Sequence, residues 1–245
     1  IVITLKDKLF NVKIQLIYTV YEDEDVITRR VVLLNEGEKS ITLHKIMSLN
    51  IDLLGEDYKV LSLHGGWIKE AHKSVRDLTP GIVTIESTTG ASSNRHNPGV
   101  ILLHEDTTED YGECYGFNLI YSGNHQTRIE LSSHGQIRIQ SGINPHAFCW
   151  TLENGESFET PEAVLSFSHE GLNGLSQHMH KFVNQQIIPP YWQNRERPVL
   201  YNNWEATMFD FNQRKILSLA KKAKSLGAEL FVLDDGWFGN REDDH

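Results

Sequence analysis

The stretch NVKIQLIYTVY (residues 11–21) places Val12, Ile14, Leu16, Tyr18 and Val20 at alternate positions, with mostly polar residues between them. A period of two marks a strand with one buried face. EDED (22–25) reads as a tight turn, VITRRVVLL (26–34) as the returning strand, NEGEKS (35–40) as a second turn and ITLHKIMSLNIDL (41–53) as a third strand. Further runs follow at short spacing: GIVTIEST (81–88), GVILLHE (99–105), YGFNLIYSG (115–123), QTRIELSS (126–133), QIRIQSG (136–142) and EAVLSFS (162–168). Turn residues separate them and helical periodicity is nearly absent. The pattern predicts a mainly β chain built on a large antiparallel β-sandwich.

The pattern changes after residue 170. GLNGLSQHMHKFVNQQII (171–188) carries Leu172, Leu175, Met179 and Phe182 at helical spacing. His178 and His180 on this helix point about 200° apart, which argues against a shared zinc ion. PPYWQNRERP (189–198) reads as a linker bounded by prolines. VLYNNW (199–204) then reads as a strand, NQRKILSLAKKAKSLG (212–227) as a helix capped by Asn212 and stopped at Gly227, and ELFVLDD (229–235) as a continuously apolar second strand. Strand, helix, strand is one βαβ unit, which cannot bury its own surfaces alone. The expected domains are therefore 1–188, the sandwich ending in a helix; 189–198, the linker; and 199–245, the opening of an α/β domain expected to continue past His245.

Bulk properties narrow the function. A formal charge of −10 over 245 residues argues against nucleic acid, which needs clustered Lys and Arg. No apolar run reaches membrane-spanning length, and no basic amphipathic stretch suits an anionic membrane surface. The first residues, IVITLKDKLFNVKIQ, lack an initiator Met and the pattern of a signal peptide, and they read as the middle of a sheet. The expectation is a fragment cut at both ends. Cys114 and Cys149 sit among apolar or aromatic neighbours and read as two reduced, buried thiols, from which a cytoplasmic setting follows.

Chemistry in a (β/α) barrel sits at the C-terminal ends of strands. Two positions fit: Trp204 with Glu205, and Asp234 with Asp235. Carboxylates directly after four apolar residues, beside an aromatic platform at Trp204 or Trp237, suggest a site for sugar hydroxyls. A plainer alternative makes Asp235-Gly236 a turn with Asp234 capping a nearby group. A retaining glycosidase needs its two carboxyl groups about 5 Å apart on opposite sides of the scissile bond. Adjacent residues cannot flank a bond in that way, so the pair reads as binding carboxylates.

YNNWEATMFDF (201–211), followed by LGAELFVLDDGWFGNR (226–241), closely resembles the start of the catalytic barrel in α-galactosidases of glycoside hydrolase family 36. SLHGGWIKEAH (62–72), GASSNRHNPGVILL (90–103), YGFNLIYSGNHQ (115–126) and GINPHAFCWTLENGESFETPEAVLSFSHEGLNGLSQHMHKFV (142–183) resemble that family's N-terminal supersandwich. The resemblance implies a β-sandwich followed by the first β-α-β of a truncated (β/α)8 barrel. It implies retaining hydrolysis of terminal α-linked galactose from melibiose- and raffinose-type oligosaccharides, with no metal or organic cofactor. The nucleophile and acid/base are expected on later strands, beyond His245. Trp204, Asp234 and Asp235 match the galactose-binding residues. In tetrameric bacterial members the sandwich reaches a neighbour's active site, and the matching outer-subsite residues are Asp52, Trp67 and Lys69. The family commonly carries Arg at the position of Lys69 and His at that of Asn94; Lys gives a point contact where Arg gives a fork. The rival expectation is a non-catalytic carbohydrate-binding or oligomerisation module.

Overall fold

Alternation along residues 11–35 becomes a hairpin in the computed structural model, which describes residues 1–93 and 95–238. The strands of the first unit are β1 (Val2–Lys6), β2 (Val12–Tyr21), β3 (Val26–Asn35), β4 (Ile41–Leu43), β5 (Met47–Leu54), β6 (Tyr58–His64), β7 (His72–Asp77) and β8 (Gly81–Glu86). They continue with β9 (His96–His104), β10 (Cys114–Ile120), β11 (His125–Leu131), β12 (Gln136–Ile143), β13 (Trp150–Leu152), β14 (Ser157–Glu159) and β15 (Glu162–Ser168). Helix α1 (Gly171–Phe182) follows. Between β2 and β3, EDED forms a 3₁₀ turn closed by Asp25 at φ 53°, a conformation Asp tolerates.

Nine strands form one antiparallel sheet in the order β1-β2-β3-β15-β10-β9-β6-β7, with β14 also pairing β3. Four more form a second sheet in the order β5-β12-β11-β8, and β13 pairs β4. Leu49, Ile85, Ile129, Leu131, Ile137 and Ile139 of the smaller sheet pack against Val60, Val100, Leu102, Phe117, Leu119 and Ala163 of the larger one. The sandwich is thus confirmed, with its core between the two sheets. The opposite face of the larger sheet offers Leu61, Leu103 and Cys114 to Leu175 of α1. Gly116 allows that approach, since a Cβ there would lie 3.1–3.2 Å from the Leu175 and Met179 side chains.

Several sequence expectations change. ITLHKIMSLNIDL is not one strand: it breaks at 44–46, and β4 and β5 join different sheets. β6 and β7, over 58–77, were not anticipated, nor were the three-residue strands β13 and β14. Cys114 is buried as expected, but Cys149 is exposed.

The chain divides into compact units Ile1–Asn184 and Gln185–His245. The division lies within the π-helical turn Val183–Ile187, ahead of the expected linker, which itself contains the short helix α2 (Pro190–Gln193). The second unit continues with β16 (Leu200–Asn202), α3 (Trp204–Thr207), α4 (Gln213–Ser225) and β17 (Leu230–Val232). β16 and β17 pair in parallel, Leu200 opposite Leu230 and Asn202 opposite Val232. Asn212 caps α4 by accepting from the Lys215 amide at 3.0 Å, and Gly227 beyond it adopts φ +95°. This is the strand, helix, strand expected.

Two predictions follow from this packing. Leu175→Ala should cost about 2–5 kcal/mol, measured by urea denaturation, because it opens a cavity where α1 meets the sheet. His125 is wholly buried, and burial pushes its imidazole below the ordinary range despite an opposing bond to the His96 carbonyl. Below about pH 6.5 the unfolded chain takes up a proton that the native chain refuses, so stability falls with pH. His125→Gln should flatten that decline between about pH 6.5 and 5, seen as a smaller shift in denaturation midpoint.

Candidate substrate-binding site

The site grows from the C-terminal ends of β16 and β17. Because these strands run parallel and in register, the residues that follow them emerge side by side. Asn202 donates from Nδ2 to Asp234 Oδ2 at 2.5 Å, while its Oδ1 accepts from the Trp204 amide at 2.8 Å. Asn203 is wholly buried. Its Oδ1 accepts from the Asp234 amide at 2.8 Å and its Nδ2 donates to Thr207 Oγ1 at 2.9 Å. Its own amide donates to the Val232 carbonyl at 3.3 Å. One side chain therefore ties the end of the first strand to the start of the carboxylate pair.

Asp234 and Asp235 lie beyond the last strand residue, Val232, and both are half-buried. Asp234 Oδ1 accepts from the Asp235 amide and Asp235 Oδ1 from the Gly236 amide, each at 2.8 Å. The turn at Asp235-Gly236 is present, with Gly236 at φ +82° and Phe209 where a Cβ would stand. The plainer alternative thus describes the local backbone. It does not use up Asp234, which accepts two of the roughly four hydrogen bonds a carboxylate can take.

An open depression of about 460 Å³ is lined by Val232, Leu233, Asp234, Asp235, Trp237 and Phe238. Trp237 is 62% exposed and stands edge-on to Phe238. Trp204 opens α3 and sits edge-on to Phe209 at 5.0 Å, and it is not among the lining residues. The structure therefore gathers the two aspartates with Trp237, and places Trp204 one hydrogen-bonded step away through Asn202. Sequence reasoning missed Asn202 and Asn203. Their signal was two adjacent amides at a strand end, in a parallel pair whose other strand ends in carboxylates.

The outer residues fall elsewhere. Asp52 lies on β5 and binds Arg138 through two contacts of 2.7 Å, with Gln136 Nε2 at 3.1 Å. The Arg138 bond holds its carboxyl below the usual range. Trp67, 84% exposed, and Lys69 lie in the connection between β6 and β7, where Gly66 and Lys69 exchange backbone bonds of 3.0 and 3.2 Å. Asn94 lies outside the described residues. His178 contacts Ser166 Oγ at 3.2 Å and Asp25 at 3.5 Å.

Asn203→Ala should strand the Asp234 amide, a loss of about 1–3 kcal/mol for a buried group left unsatisfied, while the Thr207 hydroxyl keeps its bond to the Asn203 carbonyl at 3.1 Å. Hydrogen exchange at the Asp234 amide should accelerate, while the sandwich strands stay protected.

Residues 1–153 match the family model "Glycosyl hydrolase family 36 N-terminal domain" and residues 157–245 match the model "Melibiase". The α-galactosidase Mel36A of Lactobacillus acidophilus is 42% identical over 100% of this chain and 34% of its own length. The α-galactosidase AgaA of Geobacillus stearothermophilus is 44% identical over 99% of this chain and 33% of its own. Among solved structures, the α-galactosidase of Lactobacillus brevis superposes with a TM-score of 0.95 at 40% identity, over 99% of this chain and 33% of that one. A variant of AgaA in complex with stachyose superposes with a TM-score of 0.94 at 43% identity, over 99% and 34%. The chain spans about a third of the length of the relatives it matches. A family model covering residues 1–153 and a continuous second match to residue 245 lead to one conclusion: this chain belongs to glycosyl hydrolase family 36.

Proposed function

We propose that the chain is part of a retaining α-galactosidase acting on raffinose- and melibiose-type oligosaccharides, and that it supplies the sandwich domain and the first βαβ of a (β/α)8 barrel. The observation that carries the reading is the carboxylate pair held at the end of β17 by Asn202 and Asn203, in a chain of this family. Relatives of this length-fraction are named α-galactosidases, and AgaA variants have been solved with stachyose and raffinose. The apolar surfaces of the second unit, with Leu217 52% and Leu226 79% exposed, suit a domain whose further strands and helices cover them. Asp234 and Asp235 accept hydrogen bonds from galactose hydroxyls remote from the bond being cut, and Trp237 and Trp204 supply apolar faces. Asp52, Trp67 and Lys69 belong to the outer part of the site in a cytoplasmic homotetramer.

Charge-assisted hydrogen bonds of this kind contribute roughly 1.5–3 kcal/mol each, and more where a buried partner is stranded. In the full-length protein, Asp234→Asn and Asp235→Asn should each lower kcat/KM by roughly ten- to a thousandfold, with part of the loss in kcat. A nitrophenyl α-galactoside assay reads both. The 245-residue chain alone should show no turnover, and a covalent galactosyl label on the full-length protein should map outside residues 1–245. A label on Asp234 or Asp235 would make the pair catalytic and overturn the assignment.

A further inference from the structure

Three histidines stand in one row at the root of the β6–β7 connection. His64 on β6 is opposite His72 on β7 and His96 on β9, and opposed residues project from the same face of a sheet. The β6–β9 register is irregular here: Ser62 pairs with Val100 but His64 with His96, so two steps along β6 meet four along β9. Irregularities of this kind re-aim side chains. Asn97 Oδ1 stabilises the extra segment by accepting from the Gly99 amide at 2.8 Å.

The result is a close imidazole pair. His64 Nδ1 lies 3.2 Å from His96 Nδ1, with the rings at 76°. On its other side His64 Nε2 lies 2.7 Å from Oγ of the wholly buried Ser62. The backbone of His96 is held in turn by buried His125, whose Nε2 donates to the His96 carbonyl at 2.8 Å.

That spacing suits neighbouring ligands on one ion. With metal–nitrogen bonds of about 2.0–2.1 Å, an ion equidistant from both nitrogens subtends an angle of about 100°. This lies between octahedral and tetrahedral values. Ser62 also plays the part that an outer hydrogen-bond partner plays for a metal-bound histidine. A serine hydroxyl can accept a proton from Nε2, which suits the tautomer whose Nδ1 lone pair faces His96. Binding one ion through both nitrogens requires each ring to carry its proton on Nε2.

We propose that His64 and His96 form a binding site for a divalent cation of the zinc–nickel–copper class, which imidazole ligands suit. Among the described residues no three His, Cys, Asp or Glu side chains are gathered around one point, so water completes the coordination. The ion pins β6 to β9 where the connection bearing Trp67 and Lys69 begins. The site shares no residue with the aspartate pair at the end of β17.

The test is calorimetric titration of the tag-free 245-residue chain with zinc chloride, and separately with copper(II), in a non-coordinating buffer at about pH 7.5. One ion should bind per chain. His64→Gln and His96→Gln, both at partly or fully exposed positions, should each weaken binding at least roughly tenfold, with folding checked by circular dichroism. Ser62→Ala should weaken it roughly tenfold while leaving both ligands in place, an effect that a purely structural serine would not have. The proposal is overturned by an absence of saturable binding, by binding that survives in the double His64→Gln, His96→Gln variant, or by loss in only one of the single variants.

Discussion

The first unit depends on covering both faces of its larger sheet. In β9, Val100 and Leu102 point into the sandwich while Ile101 and Leu103 face α1, and in β10 Phe117 and Leu119 oppose Cys114 and Gly116. A sheet apolar on both sides cannot leave either in water. Helix α1 therefore has to dock closely, which explains both Gly116 and the way the helix begins. No side chain caps α1. Instead the amides of Gly171, Leu172 and Asn173 donate to the carbonyls of Gly112, Thr108 and Glu109, meeting the need of a helix start through a neighbouring loop. Gly171 sits at φ +71° with no room for a Cβ, its nearest backbone atom being 2.5 Å from where one would stand. Cys114 donates to the Gly171 carbonyl at 3.3 Å, and burial pushes its thiol up to about 11, so it is a packing group rather than a nucleophile.

A single buried amide plays the comparable part in the second unit. Asn203 can be buried because its amide and carbonyl both have partners, Thr207 and the Asp234 backbone. An apolar residue of similar size would leave the Asp234 amide unpaired at the point where β17 ends. The same contact sets where the carboxylates leave the strand, so the position of the site follows from satisfying one polar group.

Much of this was legible as periodicity. β11 alternates buried and half-buried residues along QTRIEL, β12 buried and more exposed ones along QIRIQ, and the sandwich follows from such runs. The βαβ unit was equally plain, because Asn212 and Gly227 punctuate α4 by local chemistry. What failed was non-local. Nothing within ITLHKIMSLNIDL announces a break, since β4 and β5 are separated by the distant partners they find in β13 and β12. YKVLSLH hides its strand because Val60, Leu61, Ser62 and Leu63 alternate poorly, as a strand covered on both faces does. Cys149 has aromatic neighbours in sequence, yet Phe148 and Trp150 pack on Phe158 and leave the thiol outside. Of the site, the carboxylates were visible as residue types out of place after an apolar run. Asn202 and Asn203 reach the carboxylate pair across a second strand about thirty residues away, and single-strand patterns do not carry that information.

The geometry at the end of β17 also bears on what two adjacent carboxylates can do. Inside a strand they would face opposite sides, and only one could meet a ligand. Here regular pairing stops at Val232, and each carboxylate accepts the amide of the next residue, which folds the chain into a turn. Both residues line one depression beyond the strand. Acceptors on consecutive residues can grip neighbouring hydroxyls of one ring. They cannot sit on opposite sides of a bond at the separation a retaining mechanism requires. The turn that looked like the plainer alternative to a sugar site is what gives the proposed site its shape.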